Sequence, residues 1–213
     1  MKDLRAWLHD LPLIGILRGI TPAEADAALD ALEGAGWRVV EVPLNSPDAL
    51  ATLKRMVARA GDRLLIGAGT VLTTDEVAAI ADAGAGLMVA PNCSPAVIHA
   101  AKARGMWAAP GVATPTEAFA ALGAGADALK MFPGESLPPP IVKAWRAVMP
   151  TGTLLLPVGG VKPDNIAAYL KAGADGFGIG TSVYRPGMGP GDIAAAASEL
   201  AARYRDAARI LGA

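Results

Sequence analysis

Gly123-Ala124-Gly125-Ala126-Asp127-Ala128 runs directly into Leu129-Lys130-Met131-Phe132-Pro133, and Lys171-Ala172-Gly173-Ala174-Asp175-Gly176 echoes its first part. In both places small residues and glycine close an Ala-rich stretch, and an aspartate leads into an apolar run. Each reads as the junction where a helix turns into a strand, so the echo marks a repeated βα unit within one domain. Working outward, the same order recurs along the chain: a short apolar run, a polar or Pro-containing turn, an Ala-rich stretch with helical spacing, then glycine. The runs predicted as strands are 13–17, 39–42, 64–66, 87–90, 106–109, 128–131, 154–158 and 176–179. They are mostly continuous rather than alternating, which suits parallel strands covered on both faces.

Helix starts are marked by Thr21-Pro22, Ser46-Pro47, Ser94-Pro95 and Thr114-Pro115, each a capping hydroxyl before proline. Thr21 with Glu24 and Thr114 with Glu117 fit the capping box. Thr74-Asp75-Glu76 and Lys162-Pro163-Asp164 open two more helices with acids near the positive helix end. Gly34, Gly84, Gly123 and Gly173 are predicted as left-handed helix ends. A short helix over 2–10 precedes the first strand, and a last helix spans 191–210.

Strands alternating with helices imply a parallel sheet. Eight repeats predict closure into an α/β fold of the (β/α)8 TIM barrel type, with a short N-terminal helix and one domain over 1–213. A doubly wound open sheet is the alternative, and no G-x-G-x-x-G follows the first strand to support it.

Of the 213 residues, 53% are apolar and 18% charged, enough to bury a core and too apolar for disorder. Lys plus Arg is 19 against 20 Asp plus Glu, which leaves no basic footprint for nucleic acid. No uncharged run reaches membrane-spanning length, and the mixed charge of residues 1–5 does not read as a signal peptide, so the expected location is cytoplasmic. A single cysteine, Cys93, excludes an intramolecular disulfide, and only His9 and His99 are available as imidazoles, so no multi-His metal centre is expected. No P-loop is present.

In such a barrel the chemistry sits at the C-terminal strand ends. The polar residues there are Arg18, Glu41, Thr70, Pro91-Asn92, Lys130, Gly159-Gly160 and Gly180-Thr181-Ser182. Lys130 stands between apolar neighbours, whereas Lys54, Lys102, Lys143 and Lys171 fall on helical stretches. A lysine dehydrated in a barrel interior loses its cation and becomes a nucleophile toward a carbonyl. A strand-end lysine snorkelling to solvent fits the pattern equally well. Glu41, inside a β-branched run, is predicted to face the interior as a proton shuttle, to pair with Arg18, or both. Glycines after the seventh and eighth strands, with the Thr181 hydroxyl, suit a phosphate held by backbone N–H groups, although glycine also simply ends strands. Cys93 reads as a passive thiol.

Taken together, Ile16-Leu17-Arg18-Gly19, Val40 to Pro47, Ile66 to Val71, Ala90-Pro91-Asn92, Ala109-Pro110-Gly111, Leu129 to Pro133 and Val158 to Val161 resemble the pyruvate-forming class I aldolases that cleave 2-keto-3-deoxy-6-phospho sugar acids. The likeness runs from Leu11 to about Arg205. It implies Lys130 as the Schiff-base lysine and Glu41 as general acid/base. It implies Arg18 and Thr70 at the pyruvate carboxylate, Phe132 and Pro91 lining the pocket, and Gly159, Gly160, Gly180 and Thr181 at the phosphate. Phosphogluconate-type members carry Arg where this chain has Asn45, a substrate-binding position. The run Pro43 to Pro47 looks like the branch acting on 2-dehydro-3-deoxy-6-phosphogalactonate. Thr181 replaces the family's common Ser and keeps the hydroxyl. The family is typically homotrimeric and uses no metal or organic cofactor. The implied ligands are the phosphorylated keto acid, pyruvate and glyceraldehyde 3-phosphate. A phosphosugar epimerase or decarboxylase, or a non-catalytic sugar-phosphate-binding barrel, competes with this reading. The first pair would need strand-end acids or metal ligands that the chain offers sparingly. A binding module would leave the dehydrated Lys130 and Glu41 as an unexplained cost.

Overall fold

The computed structural model describes residues 3–212, and in it the strands are short and all their pairings parallel. They are β1 (Leu13–Ile16), β2 (Val39–Pro43), β3 (Leu65–Gly69), β4 (Leu87–Val89), β5 (Trp107–Ala109), β6 (Gly111–Val112), β7 (Leu129–Met131), β8 (Leu155–Pro157) and β9 (Phe177–Ile179). The helices are α1 (Leu4–Trp7), α2 (Ala25–Gly34), α3 (Ala49–Ala60), α4 (Thr74–Asp82), α5 (Pro95–Ala103), α6 (Pro115–Gly123), α7 (Pro139–Arg146), α8 (Ile166–Lys171) and α9 (Pro190–Leu211). Every predicted strand is present. The run predicted over 106–109 continues as two strands, because Pro110 has no N–H and interrupts the ladder between β5 and β6. The opening helix is shorter than predicted. His9 lies beyond it, and Lys2 lies outside the described residues.

The strands form a curled parallel α/β architecture. One sheet has the order β5-β4-β3-β2-β1-β9 and the other β6-β7-β8. Backbone bonds also run between the sheets: Asp127 N donates to Ala108 O at 2.9 Å, and Lys130 N to Pro110 O at 3.0 Å. On the other edge Val158 bridges Gly178, and Asp175 N donates to Leu155 O at 3.0 Å.

Strand alternation sorts side chains into two cores. Val40, Val42, Leu129 and Met131 join the large cluster between the sheet and the helices. Val39 and Ala128 belong to a second cluster, with Ile14, Leu65, Leu87, Leu154 and Leu156, inside the curl. Glu41 lies two residues after Val39, and Lys130 two after Ala128, so both must point inward. Leu4 and Leu8 complete the inner cluster from α1. A helix of one turn has no stability of its own, so burial of Leu4 and Leu8 is what holds it across the N-terminal end of the strands.

The aspartates of the echoed stretches explain the echo. Asp127 accepts from Ala108 N at 2.8 Å and from Lys102 Nζ at 2.6 Å. Asp175 accepts from Leu155 N at 2.7 Å and pairs with Arg146. Each ties a helix to the strand that precedes its own.

Several local predictions need correction. Thr114 and Glu117 form the predicted capping box, but Thr21 does not cap with Glu24. The Thr21 hydroxyl instead donates to Glu24 at 2.6 Å, and the helix begins only at Ala25, after a turn. Ser46 does not cap α3, because its oxygen accepts from Gly19 N at 2.9 Å. The box on α4 is made by Thr73 with Glu76, one residue before the predicted start. The left-handed residues after α2 and α6 are Gly36 and Gly125, two residues past Gly34 and Gly123. Both helices end on the predicted glycine, and two turn residues follow before the chain reverses.

Leu4→Ala is expected to cost about 2–5 kcal/mol, because Leu4 is fully buried and its neighbours are held by strands that cannot collapse onto the void. Urea unfolding monitored by tryptophan fluorescence checks this. A loss under about 0.5 kcal/mol would show that α1 does not close the inner core.

Candidate active site

The C-terminal strand ends surround a cavity of about 610 Å3. Arg18, Lys130 and Phe132 line it together with Gly159, Gly160, Gly180 and Thr181. Glu41 lies deeper. It faces a slot of about 10 Å3 walled by Ile14, Ile16, Val89, Ala109, Leu156 and Val158, and this slot also reaches Lys130. Lys130 therefore stands at the boundary, with the open cavity above it and Glu41 below. A larger depression of about 820 Å3 opens beside α9 and shares Lys162, Thr181 and Ser182 with the cavity, but it contains neither Lys130 nor Glu41.

Dehydration dominates both titratable groups. Burial lowers the pKa of Lys130 below the ordinary amine range, partly offset by the nearby Glu41 charge. Burial raises Glu41 to about 7, against the pull of the Lys130 and Arg18 charges. The Glu41 shift makes its neutral acid accessible near neutral pH, the Lys130 shift runs toward the free amine, and the two groups favour each other's charge. Glu41 Oε2 is buried with no hydrogen-bond partner. An unsatisfied buried carboxylate oxygen is costly, and such a cost marks Glu41 as a candidate acid/base. The Phe132 ring centroid lies 5.0 Å from Lys130 Nζ, so the aromatic face supports whatever ammonium remains.

Glycine makes room for the carboxylate. A Cβ on Gly69 would overlap Glu41 Oε2, so only glycine lets the strand pass this close. Thr70 follows with φ of 57°, an uncommon conformation for a β-branched residue. Pro91 packs its carbonyl against the Gly111 backbone, another approach that excludes a side chain.

The cavity thus brings together Arg18, Lys130, Phe132 and the glycine pairs. Glu41 joins through Lys130. Thr70 and Pro91 lie at neighbouring strand ends outside the cavity lining, and Asn45 contacts Arg18 rather than the cavity. Arg18 Nη1 donates to Asn45 Oδ1 at 2.7 Å, and Arg18 does not form the predicted ion pair with Glu41, which lies too deep for it. Glu135, Lys162 and Val158 also line the cavity and were not read from the sequence as site groups. Glu135 follows Phe132-Pro133-Gly134 and looks like a solvated loop acid, yet a Cβ on Gly160 would stand 2.9 Å from its Cγ. Nothing in its local pattern reports that packing. Cys93 sits apart. Its thiol contacts Glu117 O at 3.5 Å, and burial with the Glu117 charge pushes its pKa up, which holds it un-ionised.

An amine and a carboxylate, both dehydrated beneath an open cavity at the C-terminal ends of parallel strands, define a lyase-type site built for carbonyl chemistry. The family model for the KDPG and KHG aldolases matches residues 4–195, and the chain belongs to that family. A probable 2-dehydro-3-deoxy-6-phosphogalactonate aldolase of Rhizobium meliloti (strain 1021) is 48% identical over 193 residues, covering 91% of each chain. The 2-dehydro-3-deoxy-6-phosphogalactonate aldolase of Escherichia coli (strain K12) is 46% identical over 201 residues, covering 94% of this chain and 98% of its own. A solved structure described as native KDPGal superposes with a TM-score of 0.92 at 46% identity, covering 93% of this chain and 97% of that one.

The sign of the Glu41 shift sets a stability test. Its folded pKa of about 7 lies above the ordinary 4.5, so the folded state holds the proton more tightly. Stability is therefore lost as pH rises from 4.5 through 7, by up to about 3 kcal/mol relative to a group that does not titrate. Wild type should accordingly lose stability relative to Glu41→Gln between pH 5 and pH 8 in urea unfolding. Parallel pH profiles for the two proteins would show that Glu41 is not dehydrated.

Proposed function

We propose that the protein is a class I aldolase that reversibly cleaves 2-dehydro-3-deoxy-6-phosphogalactonate to pyruvate and D-glyceraldehyde 3-phosphate. The observation that carries this reading is the placement of Lys130 at the cavity floor with its amine dehydrated and Glu41 beneath it. The galactonate epimer is favoured because the Escherichia coli and Rhizobium relatives that match nearly end to end carry that name.

The chemistry follows from those positions. Neutral Lys130 Nζ attacks the C2 ketone and gives a carbinolamine. Loss of water, with proton transfers through Glu41, gives the protonated imine. That imine is the electron sink. Glu41, directly or through water, takes the C4 hydroxyl proton, the C3–C4 bond breaks, and its electron pair moves into the enamine as glyceraldehyde 3-phosphate leaves. Protonation of the enamine at C3 and hydrolysis release pyruvate and free the amine. Arg18 takes the carboxylate and Phe132 bounds the reacting end; the family resemblance adds Thr70 and Pro91, which stand at neighbouring strand ends outside the cavity lining. Gly159, Gly160, Gly180 and Thr181 take the phosphate, whose distance from the reacting bond makes it a source of orientation.

The fold reading that accompanies this is a closed (β/α)8 barrel in one domain, supported by the backbone bonds that link the two sheets on both edges. Exposed Leu50, Leu72 and Phe119 support assembly into a homotrimer, and one structural neighbour is a cage designed by fusing symmetric oligomeric domains. No helix among the described residues is long and apolar enough to cross a membrane, in keeping with a cytoplasmic site of action.

Borohydride reduction in the presence of pyruvate should leave a pyruvyl adduct on Lys130, located by peptide mass mapping, and none in Lys130→Ala. Adduct formation at another lysine would overturn the assignment. Because both Glu41 and Lys130 must shed protons in the free enzyme, kcat/KM should fall as pH drops below about 7. In Glu41→Gln the adduct should still form while kcat drops by about 100-fold or more. Unchanged kcat would remove Glu41 from the proton transfers.

A further inference from the structure

The loops after β1 and β2 are stitched at two successive rungs. Gly19 N donates to Ser46 Oγ at 2.9 Å, and Arg18 Nη1 donates to Asn45 Oδ1 at 2.7 Å. Ser46 is buried, so its bond fixes the backbone path on which Arg18 stands. Arg18 itself is exposed, and a long exposed side chain samples many rotamers unless something holds it. Asn45 supplies that hold. The amide is outside the cavity lining, whereas Arg18 is in it, next to Lys130. The resemblance puts Asn45 among the substrate contacts, but here its amide bonds the guanidinium and is not part of the cavity lining.

The residue type matters as well. An amide oxygen accepts one of the five guanidinium N–H groups and neutralises no charge, so the remaining fork keeps its full charge for a carboxylate. An aspartate in the same place would hold the arginine as firmly and cancel that charge.

We infer that Asn45 is a positioning residue, which acts on the 2-keto acid carboxylate only through Arg18. This rests on the reading of Lys130 as the imine-forming lysine and Arg18 as its carboxylate partner. The test is the pyruvate concentration that half-saturates borohydride trapping at Lys130, measured for wild type, Asn45→Ala, Arg18→Ala and the double variant. Asn45→Ala should raise it by about tenfold, the scale of one charge-assisted hydrogen bond. The double variant should match Arg18→Ala within about twofold, because Asn45 has nothing left to act through. Asn45→Asp should also raise the half-saturating concentration while leaving Tm unchanged. A merely structural contact would lower Tm in Asn45→Ala and leave trapping unmoved. Trapping that weakens further when Asn45→Ala is added to Arg18→Ala would mean that Asn45 meets substrate directly, and overturns the inference alone. No adduct in wild type would overturn the aldolase reading, and this inference with it.

Discussion

Two ionisable side chains on the inner face of one curled sheet share a region that water scarcely reaches, and the rest of the molecule is arranged around that cost. Glu41 is almost completely buried and Lys130 nearly so. Alone, either charge would be prohibitive in an apolar slot. Together each offsets part of the other's dehydration, and the residual penalty appears as an amine that gives up its proton early and a carboxylic acid that gives it up late.

The surroundings keep that pair in place. Gly69 lets β3 pass against the carboxylate, and its missing Cβ is what leaves the room. The inner cluster beneath, closed by Leu4 and Leu8 of α1, denies water a route from the opposite end. Above, the cavity opens toward Gly159, Gly160, Gly180 and Thr181, whose backbone can approach an anion closely. Outside the sheet, Arg55, Arg59 and Arg63 of α3 and its following loop meet Asp26, Asp30 and Glu33 of α2. These pairs are exposed and contribute little energy. They align two helices and leave the interior to the chemistry.

Much of the fold was legible because its signals are local. Hydroxyl-Pro helix starts, apolar runs and the Gly-Ala-Asp junctions depend on neighbours in sequence. The errors were local too. Ser46 looked like a cap, and its hydroxyl was instead recruited by Gly19 from another loop. Thr21 looked like half of a capping box, and its hydroxyl turned to the Glu24 carboxylate as donor. For Ser46 the winning donor comes from another loop and is invisible along the chain; for Thr21 the partner is the predicted one, and only the direction of the hydroxyl bond differs.

The sequence by itself determined which side chains could face inward. Val40 and Val42 must meet helices, which turns Glu41 to the interior, and Leu129 and Met131 do the same for Lys130. It also placed Arg18 and the glycine pairs at strand ends. Only the tertiary structure decided that Glu41 and Lys130 share one slot, that Arg18 bonds to Asn45 and not to Glu41, and that Glu135 leans on the Gly159-Gly160 backbone. The physical reason is that strand alternation fixes direction within a few residues, whereas distance across the curl is set by strand order and by how closely glycine lets backbones approach.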